Sequence, residues 1–193
     1  LLRIYPGGRQ RILSKLYLAW GDLHYQQEDY DRALRRQHQS LQATLEGFDP
    51  RDDHALPSPE QLHPDVVIAQ ALAGKAGTLA ARYDRDGDRR DLETALRCHD
   101  LIFEVEKMLR RSYHYESSKL FNLEESRARG EKAIALALQL ADLTGDDAYR
   151  EQAFAFAERS KSILLLESFL SDNAALAADI PAERRAREEA LQA

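Results

Sequence analysis

Three turns in the chain are followed by the same kind of pattern, and this recurrence limits the possible folds more than any other feature. Each turn contains an acidic residue, after which a large residue and then an alanine follow at helical spacing. The alanines are Ala33, Ala95 and Ala153. Since residues three or four apart share one face of an α-helix, each turn leads into an amphipathic helix. The sequence therefore predicts repeated helical hairpins.

The composition supports an all-α fold. Of the 193 residues, 44% are apolar and 31% are charged, which is typical of a globular chain and not of a disordered one. Nine glycines and six prolines are too few for a loop-rich β fold. Alanine and long unbranched side chains dominate, and these residues lose little conformational freedom in a helix. The length suits one helical domain with a buried core.

Apolar residues at three- and four-residue steps predict three antiparallel hairpins, at about residues 9–47, 64–112 and 120–170. Four prolines within residues 48–64 exclude helix there and predict a long loop. The helix after this loop has an alanine-rich face, which lets a neighbour approach closely. We expect an α-solenoid over residues 1–180, and residues 181–193 read as the start of a connector helix.

Two stripes illustrate the expected apolar faces. The first helix has its stripe at Ile12, Leu13, Leu16, Tyr17, Trp20, Leu23 and His24. The fifth helix is expected to turn inward Ile134, Ala137, Leu138 and Ala141.

The first hairpin resembles a tetratricopeptide (TPR) repeat. The signature positions are occupied by Tyr17, Trp20, Gly21, His24, Tyr30 and Ala33, of which Trp20 and His24 depart from the commonest residues. The recurring alanines lie 62 and 58 residues apart. These intervals exceed the roughly 34 residues of a standard unit, so longer helices or inserted loops are expected. Three hairpins meet the usual minimum for a stable stack.

The last third is similar to the helical repeats that precede the protease-like domain of bacterial CHAT proteins. The stretches that carry this resemblance are residues 143–146, 153–162, 164–167 and 179–181, with weaker similarity at 110–113 and 116–120. The resemblance covers residues 143–181 well and 72–193 loosely. It implies a caspase-like domain, with a catalytic His and Cys, downstream of this chain. Because the chain begins at Leu1 and stops within a helical pattern, we expect it to be a piece of a longer protein.

The net charge and the cysteine content limit the classes of partner and the cellular compartment that we expect for the chain. A net charge of −6 argues against a nucleic-acid-binding surface. No apolar run reaches the ~18 residues that span a bilayer, and no signal peptide opens the chain. The single cysteine, Cys98, cannot form an internal disulfide and suits a core position. We therefore expect a cytoplasmic protein that binds neither nucleic acid nor membrane.

No residue pattern indicates catalysis, a metal or a cofactor, so the prediction is that the chain is not an enzyme. Asp84, Asp86, Asp88 and Glu93 miss the spacing of an EF-hand and are interpreted as a solvated turn and helix cap. The histidines lack any metal-ligand spacing; they are His24, His38, His54, His63, His99 and His114. Cys98 and His99 make a poor dyad because adjacent helical residues point about 100 degrees apart.

Four residues near the end are the candidate partner-binding positions. Arg159 and Lys161 could hold an acidic partner, although a solvated helix face explains them as well. Leu165 and Phe169 lie in a segment that is apolar nearly all round, which requires cover from residues 174–193, from a downstream domain or from a second copy. Lys15 matches a carboxylate clamp seen in some TPR modules, but Asp22 stands where that clamp needs Asn.

The sequence thus favours a protein-interaction module whose concave surface or end binds a protein or peptide segment. By the resemblance, this module would be the sensing or regulatory arm of a CHAT-type protein, with that protein's downstream domain as a further partner. A structural repeat that only oligomerises with itself is the alternative.

Overall fold

The computed structural model describes the backbone of residues 6–112 and 123–177, with the side chains of residues 10–111 and 126–161 and of Leu165. Within these ranges the chain is all-α and contains no strand. Its six α-helices are α1 Pro6–Gln26, α2 Tyr30–Thr44, α3 Val66–Asp86, α4 Arg89–Ser112, α5 Leu123–Thr144 and α6 Asp147–Ala177. The prediction of an all-helical chain is confirmed. The predicted connector at 181–193 lies outside the described residues.

The helices pair as three hairpins, α1 with α2, α3 with α4, and α5 with α6. Each turn has a local chemical cause. The Asp29 carboxylate accepts a hydrogen bond from the Arg32 N–H at 3.1 Å and caps α2. Gly87 ends α3 with φ +75°, a left-handed conformation that side chains disfavour. Successive hairpins meet where α2 packs along α3 and α4 packs along α5.

One core runs through the three hairpins. Its members are buried aliphatic, alanine and aromatic side chains from α2 to α6, among them Leu34, Leu41, Ile68, Leu72, Leu79, Leu96, Ile102, Leu140 and Phe156. The Phe103 and Phe156 rings stack with centroids 5.4 Å apart, which joins the second hairpin to the third.

Two of the predicted apolar stripes are wrong in part. Leu138 was expected to face inward but is exposed on α5. On α1 the predicted stripe is mostly exposed, while the face against α2 carries the small residues Ser14 and Gly21 instead. Ser14 Oγ bonds to the Ser40 carbonyl at 2.9 Å, so this contact is polar and close. A stripe found by periodicity therefore does not show which neighbour covers it.

The long loop between α2 and α3, residues 45–65, is held by buried charges and not by apolar side chains alone. It also contains one short 3-10 turn, Pro59–Gln61, although prolines were expected to exclude helix throughout. Lys75 on α3 is fully buried and donates to the Ala55 carbonyl of the loop and to His38 Nε2 at 2.6 Å. The loop is thereby fixed to α2 and α3.

The buried charges continue at Arg82. Its guanidinium makes two bonds of 2.8 Å to the Asp91 carboxylate and one of 2.7 Å to Asp53 in the loop. His54 Nε2, also in the loop, lies 2.7 Å from Asp91 Oδ1. We call Lys75, Arg82 and Asp91, with His38 and loop residues 53–55, the loop anchor.

Candidate binding groove

A groove of about 360 Å³ lies between the first helices of the three hairpins. Its walls come from α1, α3 and α5, and one residue of α4 reaches its floor. The lining residues are Tyr25, Ala73, Ala76, Gly77, Ala80, Ala81, Asp84, His99, Arg129, Lys132, Ala135, Leu136 and Gln139.

The α3 side of the groove is made of alanine and glycine. Gly77 is exposed, and a Cβ at this position would meet no heavy atom within 4 Å. A visiting segment can therefore approach the α3 backbone closely. The alanine-rich face was predicted from the sequence, but as a surface for a neighbouring helix; here Ala73 and Ala80 stay only half-buried beside open space.

The α5 side of the groove is basic. Arg129 binds the Glu106 carboxylate of α4 at 2.8 Å, which fixes the Arg129 side chain at the groove. Lys132, one turn further along, is exposed and forms no ion pair with any described residue. The negative charge of Asp84 lies among the α3 residues of the lining. The groove thus presents the exposed Lys132 cation across from the small apolar residues of α3.

His99 is the polar group in the groove floor. It is buried, and its Nδ1 has no hydrogen-bond partner. Burial, together with the smaller effect of the nearby Lys132 and Arg129 charges, lowers the pKa of His99 to about 4. The ring is therefore neutral at pH 7, and part of its hydrogen-bonding capacity is unused.

Of the four predicted partner-binding residues, the three whose side chains the structure describes, Arg159, Lys161 and Leu165, do not line this groove. Arg159 lies against α4, where it pairs with Asp100 at 3.4 Å and approaches the Phe103 ring at 5.7 Å. Lys161 is exposed and pairs with Glu158 at 2.7 Å. Leu165 is 72% exposed, and Phe169 lies in α6 with its side chain outside the described residues. Arg159 thus faces α4, whereas Lys161 and Leu165 are exposed one turn apart on α6, and their role in partner binding stays a prediction.

The possible sites of chemistry have structural explanations. His54, Asp88 and Asp91 offer ligand atoms within 4.8 Å of one another. Asp91, however, is already bound by Arg82 and His54, and the Arg82 charge repels a cation. Asp88 caps α4 by accepting from the Arg90 N–H at 3.0 Å.

Cys98 is fully buried, and burial raises the pKa of its thiol to about 12. This thiol is thus a core group and not an activated nucleophile.

Comparisons with known proteins do not assign the chain to a family. No protein-family model matches it, and no curated protein or solved structure matches it either. None of the helices in the described ranges is long and apolar enough to cross a membrane.

Proposed function

We propose that the chain is a protein-interaction module that binds a peptide segment carrying an acidic side chain in the groove between α1, α3 and α5. The observation that supports this proposal is the juxtaposition of the open alanine and glycine wall of α3 with Lys132, which is exposed and forms no ion pair with any described residue. The small side chains of α3 leave room for the bulk of a segment, and Lys132 attracts its acidic group.

The proposed module is a TPR-like α-solenoid whose first helices form the binding side. On the resemblance to CHAT-associated repeats, it acts as the regulatory arm of a longer protein in a reducing cytoplasm. Peptide binding in the groove would then be the signal that reaches a downstream protease-like domain. This role requires no catalytic group in the repeats themselves.

A selection of short random peptides displayed on phage, with the chain immobilised, tests the proposal. Gly77→Leu fills the groove without a clash in the core, whereas Gly77→Ala leaves most of the groove open and is the matched control. We expect acidic peptides that bind the wild-type chain and Gly77→Ala and that are lost with Gly77→Leu. Their affinity should fall with Lys132→Gln and with rising salt. Peptides that bind Gly77→Leu equally well would exclude the groove as the site.

A further inference from the structure

Among the described residues, exposed large apolar side chains are most numerous on α1. Five large side chains, Ile12, Leu13, Leu16, Trp20 and Leu23, are between 41% and 73% exposed. We call them the α1 row. Ser14 and Gly21 face α2, and Tyr25 reaches the groove beside α3. At 100 degrees per residue, the α1 row therefore lies on the remaining side of α1, away from α3 and from the groove.

The α1 row is large enough to be an interface. Its exposed fractions correspond to roughly 500 Å² of apolar surface, which is near the upper end of the patches on ordinary monomers. Pairing two such surfaces would bury about 1,000 Å², which is where specific protein interfaces begin. A patch of this size, concentrated on one helix at the end of the stack, is a candidate interface.

The spacing of the row suits a second helix of the same kind. Leu13, Leu16, Trp20 and Leu23 follow steps of three, four and three residues, which is the seam of a two-helix coiled coil. This spacing is symmetric about its midpoint. In an antiparallel pair, Leu13 would lie opposite Leu23 of a second copy, and Leu16 would lie opposite Trp20. A twofold axis demands this kind of self-complementary surface.

The size and charge of the groups at Trp20 favour the antiparallel direction. The Arg36 guanidinium lies 3.5 Å from the centroid of the Trp20 ring. Parallel pairing would bring two indoles, each with its arginine, to the same level of the seam. Antiparallel pairing instead places each indole against Leu16 of the other copy.

We propose that the chain forms a twofold dimer in which the α1 rows of two copies pack antiparallel. This inference is independent of the peptide-binding groove, because the α1 row and the groove lie on different sides of α1. A dimer would leave both grooves open and would present two of them in one assembly.

Sedimentation velocity of the full chain over the micromolar range tests the dimer. We expect a concentration-dependent dimer that is weakened by more than tenfold in the double variant Leu16→Glu/Leu23→Glu. Both side chains are largely exposed, so circular dichroism should show unchanged helix. Phe154→Glu, at an exposed apolar position on α6, is the matched control and should dimerise normally. A wild-type chain that stays monomeric, or a control that dissociates equally, would overturn the proposal and assign the row to another occupant.

Cysteine substitutions test the direction of pairing and remain informative if the glutamate variant fails to fold. Leu13 and Leu23 are both partly exposed, and the native Cys98 is buried and will not compete. Under mild oxidation, a mixture of Leu13→Cys and Leu23→Cys chains should form a disulfide-linked heterodimer, seen on a non-reducing gel. Leu13→Cys alone should form little linked dimer. Efficient linkage of Leu13→Cys to itself, or none in the mixture, would overturn the antiparallel arrangement.

Discussion

The loop anchor and the groove both contain buried polar groups, but these groups differ in whether their hydrogen-bonding atoms have partners. In the loop anchor, Lys75 and Arg82 each receive partners from the loop, and Asp91 has its oxygens bound. In the groove floor, His99 Nδ1 has none. Buried charges whose hydrogen bonds are all formed are costly to disrupt and act as structural elements. A buried polar group that lacks a partner beside an open space can instead bond to a ligand. This difference makes the groove, and not the more highly charged anchor, the candidate site.

The largest effect is expected from Asp91→Ala, which removes the carboxylate that Arg82 and His54 share. Arg82 would keep its charge in a buried setting with weaker compensation. We expect the free energy of unfolding in urea to fall by about 3 to 5 kcal/mol. Asp86→Ala is the control, since Asp86 pairs with Arg85 in solvent and should have no measurable effect. Equal losses for the two variants would mean that the loop anchor is not a stability element.

As the pH falls, protonation of His99 in the groove should destabilise the chain before protonation of Asp91 in the loop anchor does. The pKa of His99 is about 4 when folded against an ordinary 6.5, so the unfolded state binds the proton more tightly. Neutral His99 therefore makes its full contribution to the free energy of unfolding above pH 6.5. This contribution, on the order of 3 kcal/mol, is lost as the pH falls to about 4. His38, whose pKa is also lowered to about 4 by burial and then by Lys75, contributes in the same window.

Urea unfolding at several pH values checks this expectation, with His99→Leu as the diagnostic variant. The free energy of unfolding of this variant should depend less steeply on pH between 6.5 and 4 than that of the wild type. The part of the pH dependence that comes from His38 should remain. The pKa of Asp91 is held below 3.8 because the Arg82 and His54 bonds outweigh its burial, so its own loss falls at lower pH. An unchanged slope in His99→Leu would contradict a neutral, buried His99.

A smaller effect of opposite sign is expected from Gly77→Ala. A methyl group at this position meets no neighbour, and alanine loses less backbone entropy than glycine in a helix. We expect a gain of about 0.5 to 1 kcal/mol in urea unfolding. At Gly74 the same methyl would lie 3.3 Å from Gln37 Nε2, which donates to Thr78 Oγ1 at 2.7 Å. Gly74→Ala should therefore gain less, and an equal gain would show that the space at Gly77 is not special.

The smallest effect is expected from Lys132→Gln, which changes the electrostatics of the groove but not its packing. Stability should stay within about 0.5 kcal/mol of wild type, because the side chain is exposed. The pKa of His99 should rise, since Lys132 is one of the charges that lower it. An NMR titration of the His99 ring measures this shift. Lys161→Gln, which removes a cation paired with Glu158 on α6, should leave that pKa unchanged.

Helices and turns could be predicted from the sequence because their causes are local. Asp29 and Gly87 act within one turn of their own helix, and both lie at hairpin turns that were predicted. The burial of Lys75 was not predictable in this way. Its partners are His38, 37 residues away, and Ala55, 20 residues away in the loop. No periodicity connects these positions.

The groove was predictable only in part. The sequence indicated the small-residue face of α3, because alanine and glycine recur along it at Ala73, Ala76, Gly77 and Ala80. What they face depends on the distance between α1 and α5, which is a property of hairpin packing. Lys132 and His99 carried no signal of their own, because one reads as a solvated charge and the other as a core histidine. The positions proposed from sequence, Arg159, Lys161, Leu165 and Phe169, remain a prediction.

Trp20 is the only tryptophan of the chain, and it is 43% exposed within the α1 row with the Arg36 guanidinium 3.5 Å above its ring. The protein therefore carries its single indole at the proposed dimer face and none in the groove, where Tyr25 is not excited at about 295 nm. Dimerisation through α1 would withdraw the indole from water and shift its emission to shorter wavelength. Filling of the groove would leave the emission unchanged. An unlabelled sample can thus report the two binding events separately.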